Sequence, residues 1–142
     1  MAAARDLLSR LPAWFGRADA NAAYAEAAGR LPTWLATLDR TPAGILTLNE
    51  LRGDIGEIHL LAVAPDAHRQ GIGRRLVRHA AGEARRAGAA RLAVRTLGPS
   101  HPDPHYALTR SFYAALGFTA VHEAADGWGP GTPMLLLERG LR

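Results

Sequence analysis

The segment His68-Arg69-Gln70-Gly71-Ile72-Gly73-Arg74 is where this 142-residue chain speaks most directly of chemistry. It follows an apolar run, Glu57 to Ala64, that Pro65 closes. It precedes a stretch in which Ile72, Leu76, Val77, Ala80, Ala84 and Ala87 recur at helical spacing, with Gly88 just beyond as a cap. Two glycines between a strand and a helix permit a tight turn. The first N–H groups of that helix lack intrahelical acceptors and share the positive end of its dipole, so the turn suits an anion. In the preceding strand, alternation puts Glu57, His59, Leu61 and Val63 on one face. A carboxylate and an imidazole of ordinary pKa near ~6.5 therefore share that face. His101-Pro102-Asp103-Pro104-His105 carries ligand-type side chains. Its prolines keep the two imidazoles off one helix face and no further ligand stands nearby, so no metal site is expected.

Composition bounds what these residues can do. The 17 basic residues are all arginine, and cysteine is absent. Without lysine there is no P-loop grip on phosphates and no Schiff base to pyridoxal phosphate; without cysteine there is no thiol nucleophile, disulfide framework, zinc ribbon or iron–sulfur cluster. The net charge of +4 is unevenly placed. Residues 1–60 hold six arginines against seven acids, net −1, whereas residues 61–98 hold eight arginines against Asp66 and Glu83, net +6. A block of that sign points to an anionic partner. The opening MAAARDLLSR has no apolar core followed by a cleavage site, and no apolar run approaches ~20 residues. The expectation is a cytoplasmic protein with no membrane partner.

The elements that must position these groups follow from periodicity and punctuation. Ala2–Leu11 and Ala18–Ala28 read as helices, the second capped by Gly29. Thr33–Asp39 and Gly44–Leu51 read as strands joined at Arg40–Ala43, and Glu57–Ala64 as a third after a turn at Gly53-Asp54. Then come the helix after the glycine turn, a strand at Arg91–Leu97, a helix at Tyr106–Leu116 ended by Gly117, and strands at Phe118–Ala124 and Pro133–Gly140. A hydrophobic content of 48% suffices for one core, so residues 1–142 are expected to form a single α/β (α+β) domain, one sheet flanked by helices.

A dinucleotide-binding fingerprint would need a third glycine where Leu76 stands. A different pattern fits. Leu61-Ala62-Val63-Ala64-Pro65 followed by HRQGIG resembles the acetyl-CoA signature of the GNAT family of N-acetyltransferases, a [QR]-x-x-G-x-[GA] turn after a strand ending apolar-x-Val-x-Pro. Phe112-Tyr113-Ala114-Ala115-Leu116-Gly117-Phe118 resembles that family's late helix ending in F-Y-x-x-L-G-F. The resemblance spans residues 33–139; the family's usual first strand has no evident counterpart ahead of the opening helices.

The resemblance implies a mixed, mostly antiparallel sheet flanked by helices, and acetyl-CoA as co-substrate. It implies that the backbone of Leu61, Ala62 and Val63 pairs with the pantetheine arm and acetyl carbonyl. It implies that the turn of His68, Arg69, Gln70, Gly71, Ile72, Gly73 and Arg74 holds the pyrophosphate through its N–H groups, with His68 departing from the usual Arg or Gln. Tyr106 stands where many members carry an asparagine that reaches the pantetheine. Tyr113 matches the tyrosine that protonates the coenzyme A sulfur, and Glu57 the glutamate base of the protein-lysine-acetylating branch. His59, one step nearer the cofactor, is the alternative base. Trp14, Phe15 and Trp128 stand near loops that in this fold edge the acceptor site, or they pack. The expected activity is direct acetyl transfer to a small-molecule amine or a protein amine, and a homodimer through the final strand is left open. The competing readings are a catalytically silent acetyl-CoA-binding module and a basic nucleic-acid-binding domain. The second is disfavoured because no Tyr or Phe is interleaved with the arginine block, so no nucleic-acid partner is expected. The block itself is read as attraction for coenzyme A phosphates, its outer arginines merely solvated.

Overall fold

The computed structural model describes residues 26–64, 67, 70–97 and 104–141. Trp14, Phe15, His68, Arg69, residues 101–103 and all but the end of the two opening helices lie outside these, as do the side chains of His105 and Tyr106. Residues 26–30 are helical, one residue past the Gly29 cap expected from sequence. Six strands then form one sheet in the order β1-β2-β3-β4-β6-β5.

Strands β1 (Thr33–Leu38) and β2 (Thr41–Leu48) make an antiparallel hairpin. Its turn is Asp39-Arg40, both left-handed at φ 50° and 66°. Positive φ at both central residues suits the right-handed twist of a two-residue hairpin. The turn thus falls before the Arg40–Ala43 segment that the sequence suggested, because Thr41 and Pro42 already pair with Leu38 and Thr37. Proline is tolerated there, beside a register shift at Ala36/Thr37 near the start of β2.

Strand β3 (Ile55–Val63) pairs antiparallel with β2 and feeds helix α1 (Ile72–Arg86), which returns the chain to β4 (Arg91–Leu97), parallel to β3. Helix α2 (Pro104–Ala115) precedes β5 (Thr119–Ala124) and β6 (Met134–Gly140), and β6 lies between β4 and β5 with antiparallel partners on both sides.

Alternation along β3 separates two environments. Gly56, Ile58, Leu60 and Ala62 are buried, while Ile55, Glu57, His59, Leu61 and Val63 are half-buried. Ile58, Leu60 and Ala62 join Ile72, Leu76, Val77, Ala80 and Ala84 of α1, Leu92 and Val94 of β4, and Leu135 and Leu137 of β6 in the buried cluster. Helix α1 lies close on β2 because residue 44 is glycine. A Cβ there would stand 2.8 Å from Ile72 Cγ2 and 3.0 Å from Leu76 Cδ1.

The ladder between β3 and β4 is short. It runs from Ile55–Arg91 to Ile58–Val94 and stops, although β3 continues to Val63 and β4 to Leu97. Beyond Ile58 the two strands diverge, each still held by its outer neighbour: Leu61 by Leu46 of β2, Thr96 by Leu135 of β6.

Candidate active site

The divergence of β3 from β4 makes the first wall of the site. The Ala64 N–H donates to the Ala43 carbonyl at 2.8 Å. Strand alternation therefore turns the peptide groups of Ala62 toward β2 and those of Leu61 and Val63 toward β4. Of the three residues expected to offer backbone to an extended ligand, Leu61 and Val63 face the opening. Ala62 pairs with Ile45 on the other side, and its side chain is buried.

The glycine turn stands at the end of β3. Gly71 is left-handed at φ 76° and caps α1 with no side-chain hydrogen bond, and no acid occupies the first helical turn. The first bond closing the helix is from the Arg75 N–H to the Gly71 carbonyl. The N–H groups of Ile72, Gly73 and Arg74 thus have no acceptor within the helix, and no carboxylate side chain in that turn competes for them. Gly73 is fixed by a close approach. A Cβ on it would lie 3.0 Å and 3.2 Å from Phe112 ring carbons and 3.6 Å from Val63 Cγ2. The turn, the end of β3 and α2 therefore meet at this glycine, and the residues present fit a diphosphate at the turn with an extended arm along β3.

Helix α2 ends in a way that explains its sequence. The Gly117 N–H donates to the Ala114 carbonyl, and the Phe118 N–H reaches back to the Tyr113 carbonyl at 3.1 Å. Gly117 takes φ 91°. This closure folds the following residue back on the helix, so Phe118 meets Tyr113 edge-to-face at 5.3 Å, and Phe112 meets Tyr113 at 5.2 Å. Tyr113 is buried between them, and burial pushes its phenol well above the ordinary value. It stays protonated through the neutral range.

On the half-buried face, Glu57 is already engaged. Its Oε1 accepts from Asn49 Nδ2 at 3.0 Å and its Oε2 lies 3.5 Å from Arg95 Nε. It lines a cavity with Asn49, Ala93, Arg95, Leu136 and Glu138, and Glu138 is itself held by Arg91 at 2.8 Å. His59 shares the face one step nearer the opening. Burial lowers its pKa, Arg30 lowers it further and Glu57 partly opposes both. The imidazole is therefore predominantly neutral at neutral pH and can accept a proton.

Trp128, in the loop between β5 and β6, donates from Nε1 to the Thr96 carbonyl at 3.0 Å. It is half exposed, and it ties that loop to the strand forming the second wall. In the sequence Trp128 stands near a loop, and nothing local signals a bond across 32 positions. Among the described residues no group of three or more His, Cys, Asp or Glu could hold a metal, and no helix is long and apolar enough to cross a membrane.

Against this geometry, the sequence model of the Acetyltransferase (GNAT) family matches residues 2–118. No curated protein matches the chain. A solved protein of the GNAT family from Desulfovibrio desulfuricans superposes with a TM-score of 0.86 at 21% identity, over 99% of this chain and 92% of that one. An aminoglycoside 6′-N-acetyltransferase complexed with coenzyme A superposes at 0.79 with 18% identity, over 97% and 91%. The ribosomal-protein-S18-alanine N-acetyltransferase from Escherichia coli superposes at 0.69 with 21% identity, over 85% and 76%. At these identities the likeness is one of fold.

Proposed function

Since the chain belongs to the GNAT acetyltransferase family, we propose that it moves an acetyl group from acetyl-CoA to a primary amine in the opening between β3 and β4. The observation that carries this is the end of the β3–β4 ladder at Ile58–Val94, with the uncapped start of α1 at the end of β3. The N–H groups of the turn through Arg74 hold the pyrophosphate, and the peptide groups of Leu61 pair with the pantetheine and the acetyl carbonyl. Tyr106 stands in the first turn of α2 and is carried in this proposal as a residue at the pantetheine.

In the reaction the amine lone pair attacks the thioester carbon, the C–S bond breaks, and the thiolate needs the proton that the amine must lose. His59 takes the amine proton, directly or through water. Its neutral imidazole supports this choice over Glu57, whose oxygens are held by Asn49 and Arg95. Tyr113 supplies the proton to sulfur. The acceptor is a small-molecule or protein amine; the solved neighbours include enzymes named for each.

Two measurements test the proposal. Saturating coenzyme A should raise the melting temperature by several degrees, as about 2.7 kcal/mol of linkage at 100 times Kd requires. Thiol release over a panel of amines should identify an acceptor; no melting shift would sink the assignment. The base is tested separately. By NMR, His59 should titrate below pH 6.5, and Glu57→Gln should move it lower still, because Glu57 is the neighbour that favours the charged imidazole. His59→Gln should cut kcat/KM by about 10²-fold. An unperturbed midpoint, or full activity without the imidazole, would return the role to Glu57 or to water.

A further inference from the structure

The arginine block reads differently on the folded helix than along the chain. At about 100° per residue, Arg74, Arg78 and Arg85 form one row on α1, and Arg75, His79 and Arg86 a second row beside it. All six are exposed. The helix has one acid, Glu83, which is paired with Arg86. Among the described residues Arg74, Arg75, Arg78 and Arg85 have no ion pair. Arg85 lies about 16 Å along the axis from Arg74, beyond the reach of a pyrophosphate at the turn. The cofactor therefore accounts for one end of the stripe only.

Two further features mark this face. Gly82 lies in the second row, although glycine is unfavourable inside a helix. A Cβ there would meet nothing within 4 Å except the Arg86 guanidinium at 3.9 Å, so packing does not demand it. It leaves the helix backbone open to close approach. Across the second row, Trp34 of β1 meets His79 edge-to-face at 5.3 Å, and the two line a groove with Leu35, Ala36, Arg75 and Leu76. The aromatic partner that the sequence lacked beside its arginines is supplied from 45 positions away.

We infer that the exposed face of α1, with the Trp34–His79 groove, is a docking surface for single-stranded nucleic acid. Guanidinium forks match phosphate oxygens, rows along one helix follow a charged backbone, and an aromatic groove beside them accepts a base; an acidic peptide would use the charge but not the groove. Arg78, Arg85 and the Trp34–His79 groove lie beyond the end of the stripe that the turn claims, so the inference does not depend on the acetyl-transfer proposal.

The test is anisotropy of a labelled single-stranded RNA 20-mer with the full chain over a salt series. Micromolar binding is expected at low salt, with a slope of log K against log salt near about −3. Arg78→Ala/Arg85→Ala should weaken binding at least about tenfold and flatten the slope by about 1.4, while the coenzyme A melting shift persists. Trp34→Ala should cost roughly tenfold at unchanged slope; should it unfold, the double arginine variant still decides. The inference is overturned by absence of binding, by binding indifferent to the double variant, by loss of binding when coenzyme A saturates the turn, or by polyglutamate of equal charge binding as tightly.

Discussion

Replacing Tyr113 with phenylalanine is expected to lower turnover by about 10²- to 10⁴-fold while leaving the melting temperature and the acetyl-CoA affinity close to those of the parent chain. The phenylalanine ring fills the same space between Phe112 and Phe118, so the buried cluster loses one oxygen and no carbon. Among the described residues the phenol makes no hydrogen bond, so its removal orphans no partner there. What the variant lacks is a proton. Burial raises the phenol's pKa, which keeps the donor loaded but makes transfer to a solvated thiolate uphill. A thiolate expelled into the same dry surroundings is likewise starved of solvent, and its own proton affinity rises. In the proposed mechanism the two shifts run in the same direction. Parent-like thiol release in Tyr113→Phe would leave the ring as a core residue and favour a silent acetyl-CoA-binding module or another acid. The same pKa direction fixes a stability limb. The folded phenol is harder to ionise than the unfolded one, so stability is full below pH ~10 and falls as pH rises beyond it.

Gly73→Val should abolish the coenzyme A melting shift, or raise the KM for acetyl-CoA by at least about tenfold, in a chain that still folds. The added carbons must displace Phe112 or tilt the first turn of α1 away from Val63, at a stability cost of about 1–3 kcal/mol. A tilt redirects the N–H groups of residues 72–74, whose use depends on direction. Urea unfolding with an unchanged m-value would show that the fold survives. A parent-like melting shift in that folded variant would mean that the diphosphate is held elsewhere.

Much of the architecture could be read in advance because it rests on local punctuation. Gly71, Gly88 and Gly117 bound their elements, and all three take a positive φ that favours glycine. Alternation correctly put Glu57, His59, Leu61 and Val63 on one face. The hairpin turn is not marked in the sequence, since Asp39-Arg40 lacks glycine while Pro42, the more usual turn residue, already pairs within β2. The site was legible as a list of residues but not as an arrangement. Nothing local distinguishes the carbonyl of Thr96, which Trp128 holds, from its neighbours. Nothing local shows that Asn49 and Arg95 restrain Glu57, since strand pairing across the sheet decides it. Alternation also carried a message missed in sequence: it turns Ala62 away from the opening that Leu61 and Val63 face.

The short seam between β3 and β4 divides the sheet into two leaves, β1-β2-β3 and β4-β6-β5, bound along one spine of residues 55–58 and 91–94. The proposed ligand, its amides bonded to Leu61, would stand where further rungs of the ladder would have been. It is then less an object held by a finished protein than a removable length of secondary structure. On the proposed reading each turnover would insert and withdraw a piece of the sheet, along the one line where β3 and β4 share only four rungs.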